Sequence, residues 1–78
     1  MEQKQIIEVI AKSLSIPSSE IGATTSLSNE IGVDSIEMVK LCRDLVKSFE
    51  CTLEVSEIKE ADTIEKLLCR IRENKMAS

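Results

Sequence analysis

The chain has 78 residues, 42% apolar and 31% charged, with a net charge of −4. One domain of this size buries only about 60% of its unfolded surface, which excludes a large enclosed active site or two lobes closing over a substrate. The acidic balance disfavours nucleic-acid phosphates and anionic membranes, and with no histidine the Ser-His and Cys-His nucleophile pairs and the commonest metal ligands are missing.

Met1-Glu2-Gln3-Lys4 lacks the basic and apolar regions of a signal peptide. No apolar run approaches the ~20 residues needed to span a bilayer, so the expected location is the cytoplasm. Ile6, Ile7, Ile10 and Leu14 recur at three- and four-residue spacing, which predicts an amphipathic helix over Gln3–Leu14. Ser15-Ile16-Pro17 ends it, because the residue before proline avoids the α region. Residues 15–33 then form a long connection holding both glycines, Gly22 and Gly32. Loops of this length are functional or disordered, and Ile16, Ile21, Leu27 and Ile31, spaced as anchors, predict an ordered one.

A second helix is predicted from Ser35 to Phe49, with a wide apolar stripe of Met38, Val39, Leu41, Cys42, Leu45, Val46 and Phe49. Phe49 is also the chain's one aromatic residue, too few for a base-stacking platform. Residues 50–55 read as a loop. Ser56 is placed to cap a short turn over Glu57–Glu60. Ile64, Leu67, Leu68 and Ile71 mark a last helix from Thr63 to about Asn74, and the tail from Lys75 is expected to fray. The expected fold is all-α: a single domain over residues 1–78, built as a small up-and-down four-helix bundle of three main helices and one short one. Cys42, Cys51 and Cys69 form neither a C-x-x-C pair nor an even set, so no disulfide framework or zinc site is expected. Cys42 and Cys69 fall on apolar stripes and are expected in the core. Cys51, past a helix end, is expected at the surface.

One segment carries chemistry: Ile31-Gly32-Val33-Asp34-Ser35-Ile36-Glu37. Asp34 has the position of a helix N-cap, and Glu37 three residues on reaches back to the Asp34 backbone N–H. Ser35 is then the first helical residue, at a helix end whose dipole favours a phosphate. The chain holds its own control in Asp62-Thr63-Ile64-Glu65, with the same order of acid, hydroxyl, isoleucine and glutamate. There capping suffices as an account. Only the first copy follows a glycine and a long loop and opens the central helix.

Gly32-Val33-Asp34-Ser35-Ile36 at the start of a second helix resembles the phosphopantetheine-attachment motif of acyl carrier proteins. The resemblance extends to the leading helix, the loop anchored by Leu27 and Ile31, Phe49 closing the second helix, the short third helix and the last helix opening at Thr63-Ile64, roughly residues 4–74. It implies that a phosphopantetheinyl transferase moves 4′-phosphopantetheine from coenzyme A onto Ser35, beside the motif acid Asp34. The arm's thiol, and not a cysteine of this chain, then holds an acyl group as a thioester for acyl-loading and acyl-processing enzymes. The protein is on this reading a monomeric carrier and a substrate, with no catalytic residue and no metal site of its own. The resemblance also makes the second helix the docking face, which points to Ile36, Glu37, Lys40, Arg43 and Lys47 as partner-recognition residues. Val39, Leu45, Ile58 and Ala61 are candidates for an acyl pocket between the second and third helices.

The docking helix departs from the family pattern. Fatty-acid carriers have a strongly acidic second helix, whereas residues 35–49 hold Lys40, Arg43 and Lys47 against Glu37 and Asp44, a balance of +1 that leaves −5 for the remainder. A specialised pathway, polyketide-like or otherwise dedicated, fits this charge better than the housekeeping fatty-acid one. Two other readings stay open: an aminoacyl, D-alanyl or peptidyl carrier of the same fold, and a helical interaction domain whose serine is never modified. A calcium module is disfavoured, because there is no Asp-x-[Asp/Asn]-x-[Asp/Asn]-Gly loop.

Overall fold

The computed structural model describes residues 3–75. Within them lie four α-helices: α1 (Gln3–Leu14), α2 (Ser35–Phe49), α3 (Val55–Ala61) and α4 (Ile64–Asn74). No β-strand forms among the described residues; two isolated bridges, Ser26 with Thr63 and Cys51 with Lys75, are the only extended pairings there. Helix α1 packs on α2 and α4, and α3 packs on α2 and α4. The core fills the space between them. Ile6 and Ile10 of α1, Leu41 and Leu45 of α2, Ile58 of α3, and Ile64, Leu67 and Ile71 of α4 are all fully buried.

The bounds expected for α1 and α2 hold, and the loop between them is ordered. It makes a short 3₁₀ turn at Ser18–Glu20 and one π turn at Leu27–Ile31. Leu27 is fully buried and Ile21 nearly so, while Ile16 and Ile31 pack against the core's edge. Helix α3 is longer than expected. Its N-cap is Glu54, not Ser56, and the Glu54 N–H donates to Glu57 Oε1 at 3.2 Å. The tail expected to fray is tied at its start: Lys75 bridges Cys51, and Thr52 N–H donates to the Asn74 carbonyl. The rest of that expectation lies outside the described residues.

Two cysteine assignments are reversed. Cys51 is fully buried and Cys69 is exposed, with Cys42 between them. The segment after α2 turns back under the bundle through a left-handed Glu50 (φ 48°), which carries Cys51 inward. Cys69 stands one position past Leu68 on α4, outside the arc that Ile64, Leu67 and Ile71 bury. Burial pushes the Cys42 and Cys51 thiols up from their ordinary range, and Glu57 adds to both shifts. Neither thiol is disposed to ionise as a nucleophile.

Candidate functional site

Gly32 closes the π turn in the left-handed region (φ 75°), its N–H donating to the Leu27 carbonyl. A Cβ there would meet nothing within 4 Å, so the position favours glycine for backbone conformation and not for space. The chain then extends through Asp34 (φ −88°, ψ −179°) and enters α2 at Ser35. Asp34 Oδ1 accepts from Glu37 N–H at 2.8 Å, and Glu37 Oε1 accepts from Asp34 N–H at 3.2 Å. This is the reciprocal capping box expected from the spacing.

The cap has a chemical consequence. It occupies the Asp34 and Glu37 side chains with each other's backbone and leaves Ser35 out. The Ser35 side chain is exposed, and its hydroxyl makes no hydrogen bond among the described residues. The N–H groups of Ser35 and Ile36, in the first turn, lack an intrahelical acceptor. An exposed hydroxyl beside free N–H donors at the positive end of a fifteen-residue helix fits a phosphodiester.

Ile36 is 81% exposed and Val39 49% exposed, the large apolar side chains most open to solvent among the described residues. Ile36 follows Ser35 directly, and Val39 lies about one turn further along α2. Lys40, Arg43 and Lys47 are exposed along the same helix, and Glu37 and Asp44 are half-buried. No ion pair joins Lys40 to Asp44; Arg70 of α4, by contrast, pairs with Glu57 and Glu60 of α3. Of the four candidate pocket residues, Leu45, Ile58 and Ala61 are core, and Val39 stands outside it. A groove of about 590 Å³ opens instead between α1 and α2, lined by Val9, Ser13, Lys40 and Phe49 among others, and none of the four lines it.

In the second acid-hydroxyl motif the acid does not cap the helix that follows. Asp62 ends α3 at positive φ (φ 58°, ψ −34°), and Thr63 stands at the N-cap position of α4 without a side-chain cap bond. The Asp62 carboxylate turns to the long loop. It accepts from the Ser26 hydroxyl, from Ser28 N–H at 3.0 Å and from the Ser28 hydroxyl at 2.8 Å. Leu27 N–H donates to the Asp62 carbonyl at 2.8 Å, and Glu65 N–H to the Ala23 carbonyl. The hydrogen bond from Ser26, then those from Ser28, hold the Asp62 carboxyl below the usual carboxylate range. The loop that delivers Gly32 and Asp34 to α2 is thus clasped to the α3–α4 junction. Sequence reasoning missed this clasp, because Ser26-x-Ser28 signals a partner only once Asp62 is known not to cap.

Comparison with known proteins places this geometry. Residues 4–71 match the family model described as phosphopantetheine attachment site. The chain is 34% identical over 68 residues to the acyl carrier protein of Exiguobacterium sibiricum, covering 82% of this chain and 86% of that one. It is 26% identical to the acyl carrier protein of Porphyromonas gingivalis, covering 92% of each. It is also 30% identical to a segment of the hydroxamate-type ferrichrome siderophore peptide synthetase of Schizosaccharomyces pombe, a match that takes in 97% of this chain and 2% of the synthetase. Among solved structures, the apo doublet acyl carrier protein from prodigiosin biosynthesis superposes with a TM-score of 0.81 at 26% identity, over 96% of this chain and 37% of that one. The chain belongs to the phosphopantetheine-attachment family of acyl carrier proteins, which carry 4′-phosphopantetheine covalently and are not themselves catalytic.

Proposed function

We propose that Ser35 is the attachment residue and that the protein carries acyl groups as thioesters for a specialised pathway. The observation that carries this is the exposed, unbonded Ser35 hydroxyl, first in α2 and beside a closed Asp34–Glu37 cap. In the loading step, catalysed by a transferase, Ser35 Oγ attacks the pyrophosphate of coenzyme A. A phosphodiester forms, adenosine 3′,5′-bisphosphate leaves and the hydroxyl proton passes to the transferase. The arm, once bound, supplies the thiol on which the thioester forms. The chain's own part is to present the hydroxyl, offer the Ser35 and Ile36 N–H groups to the phosphate, and display a docking face. Asp34, whose Oδ1 is engaged in the cap, presents its other oxygen at the rim for the transferase and its metal ion. Ile36 and Val39 offer apolar contact to partners, and Glu37, Lys40, Arg43 and Lys47 select them by charge. Leu45, Ile58 and Ala61 would line a cargo pocket only after parting from their core neighbours.

Intact mass after incubation with coenzyme A and a broad-specificity transferase tests this. The wild type gains one phosphopantetheinyl group, Ser35→Ala gains none, and both keep the same helical circular dichroism. A mass gain that persists in Ser35→Ala would falsify the assignment. An unmodified interaction domain predicts no gain in either protein. The match to a peptide synthetase segment favours a second reading, an aminoacyl or peptidyl carrier of the same fold. Loading assays with adenylating enzymes that take amino acids separate it from acyl use.

A further inference from the structure

The groove between α1 and α2 lies away from Ser35. Ser35 and Asp44, nine residues apart, are separated by about two and a half helical turns and so project from opposite sides of α2. Asp44 lines the groove and Ser35 does not. Three features of its lining point to a ligand. Ser13, on α1, is 93% buried (7% exposed) and its Oγ has no hydrogen-bond partner. Buried hydroxyls are nearly always paired; this one is unpaired and lies sealed just behind the groove wall. Lys12 from α1 and Lys40 and Lys47 from α2 ring the same space, and none of the three forms an ion pair among the described residues. Val9 and Phe49 add half-buried apolar surface to the same walls.

We propose that this groove binds a short aliphatic monocarboxylate, with the carboxylate accepting from the lysines and, once its side chain turns into the groove, from Ser13 Oγ, while the alkyl chain lies on Val9 and Phe49. Glu8 and Asp44 also line the groove, so its local balance is three cations to two carboxylates. That accommodates one added negative charge and disfavours a second. The same chemistry is presented by a free acid and by an acyl chain on the Ser35 arm that ends in a carboxylate. Only the latter source rests on the reading of Ser35 given above.

The test is a titration of the ¹⁵N-labelled apo protein with hexanoate, following the amides of Val9, Ser13 and Phe49. Saturable shifts at these amides are expected, with weaker binding of hexanamide, which lacks the charge, and of adipate, which doubles it. Ser13→Ala is expected to fold, since it removes only an unpaired hydroxyl, and to weaken hexanoate about tenfold. Lys12→Gln with Lys47→Gln should weaken it as well, and Lys59→Gln on α3 should not. Shifts that do not saturate, equal binding of hexanamide, or unchanged binding by Ser13→Ala would overturn the proposal. In holo protein loaded with an adipyl thioester, the same amides shifting without added acid identifies the arm as a source. Their staying fixed while free hexanoate still binds identifies the free acid. Mass gain at Ser35, measured on Ser13→Ala, is expected to be unchanged, so failure of the groove and failure of the Ser35 assignment are read separately.

Discussion

A single carboxylate, Asp62, joins two parts of the chain more than thirty residues apart. Its three hydrogen bonds from Ser26 and Ser28 pin the loop that ends at Gly32, so the position of Ser35 depends on a residue far from it in sequence. Hydrogen bonds to a charged group contribute about 1.5–3 kcal/mol when buried, and those from Ser28 count for less because they are exposed. Asp62→Ala is expected to destabilise the fold by about 1–3 kcal/mol at neutral pH, measured by urea unfolding. The pH dependence follows from the lowered carboxyl value. A carboxylate whose native value lies below its unfolded one contributes fully above the unfolded value, about 4, and loses that contribution as pH falls through the native value. Wild-type stability should therefore drop below about pH 4 more steeply than that of Asp62→Ala. Equal acid slopes would remove the clasp as a source of stability.

At the scale of elements, the helices were legible because apolar spacing is a local property of the sequence. Ile6 and Ile10, or Leu41 and Leu45, recur at helical spacing, and every one is buried. The capping box at Asp34–Glu37 was legible for the same reason, since a four-residue pattern needs no tertiary information. What was not legible turned on helix ends. Ser15, Glu50 and Asp62 all adopt positive φ where α1, α2 and α3 stop, conformations that non-glycine residues favour little. Those three reversals decide that Cys51 goes inward and that Asp62 faces the loop. Local spacing alone gives no warning of them. Two predictions follow from these ends and faces. Glu50→Gly relieves a left-handed strain at an exposed C-cap and should stabilise by about 0.5–1 kcal/mol, raising Tm by several degrees. Leu45→Ala opens a cavity in the centre of α2 and should cost about 2–5 kcal/mol. For 78 residues the whole stability is only about 4–12 kcal/mol. A Tm for Leu45→Ala within a degree or two of wild type would contradict the assigned core face.

Across the whole molecule, charge is distributed against the family's habit. The chain carries −4 while α2 carries +1, as α1 and α4 also do, so the helix proposed for docking has no net acidity in an acidic protein. Lys40, Arg43 and Lys47 are exposed along it and unpaired with acids, which leaves their charge available to a partner. Steering by such a face is long-ranged, acts mainly on association rate and is screened by salt. Enzymes that receive strongly acidic carriers present basic patches, and these meet Lys40, Arg43 and Lys47 with repulsion. Standard fatty-acid enzymes are therefore expected to use the loaded protein poorly at low salt and somewhat better as salt screens the clash. Lys40→Glu with Lys47→Glu shifts the face by four units of charge and should raise that use, most at low ionic strength. Turnover by such an enzyme, measured across a salt series for both proteins, decides the matter. Wild-type turnover equal to that of a housekeeping carrier, or no response to the reversal, would remove the specialised reading. Attachment at Ser35 would stand in either case, because it depends on the hydroxyl and its helix end and not on the lysines further along α2.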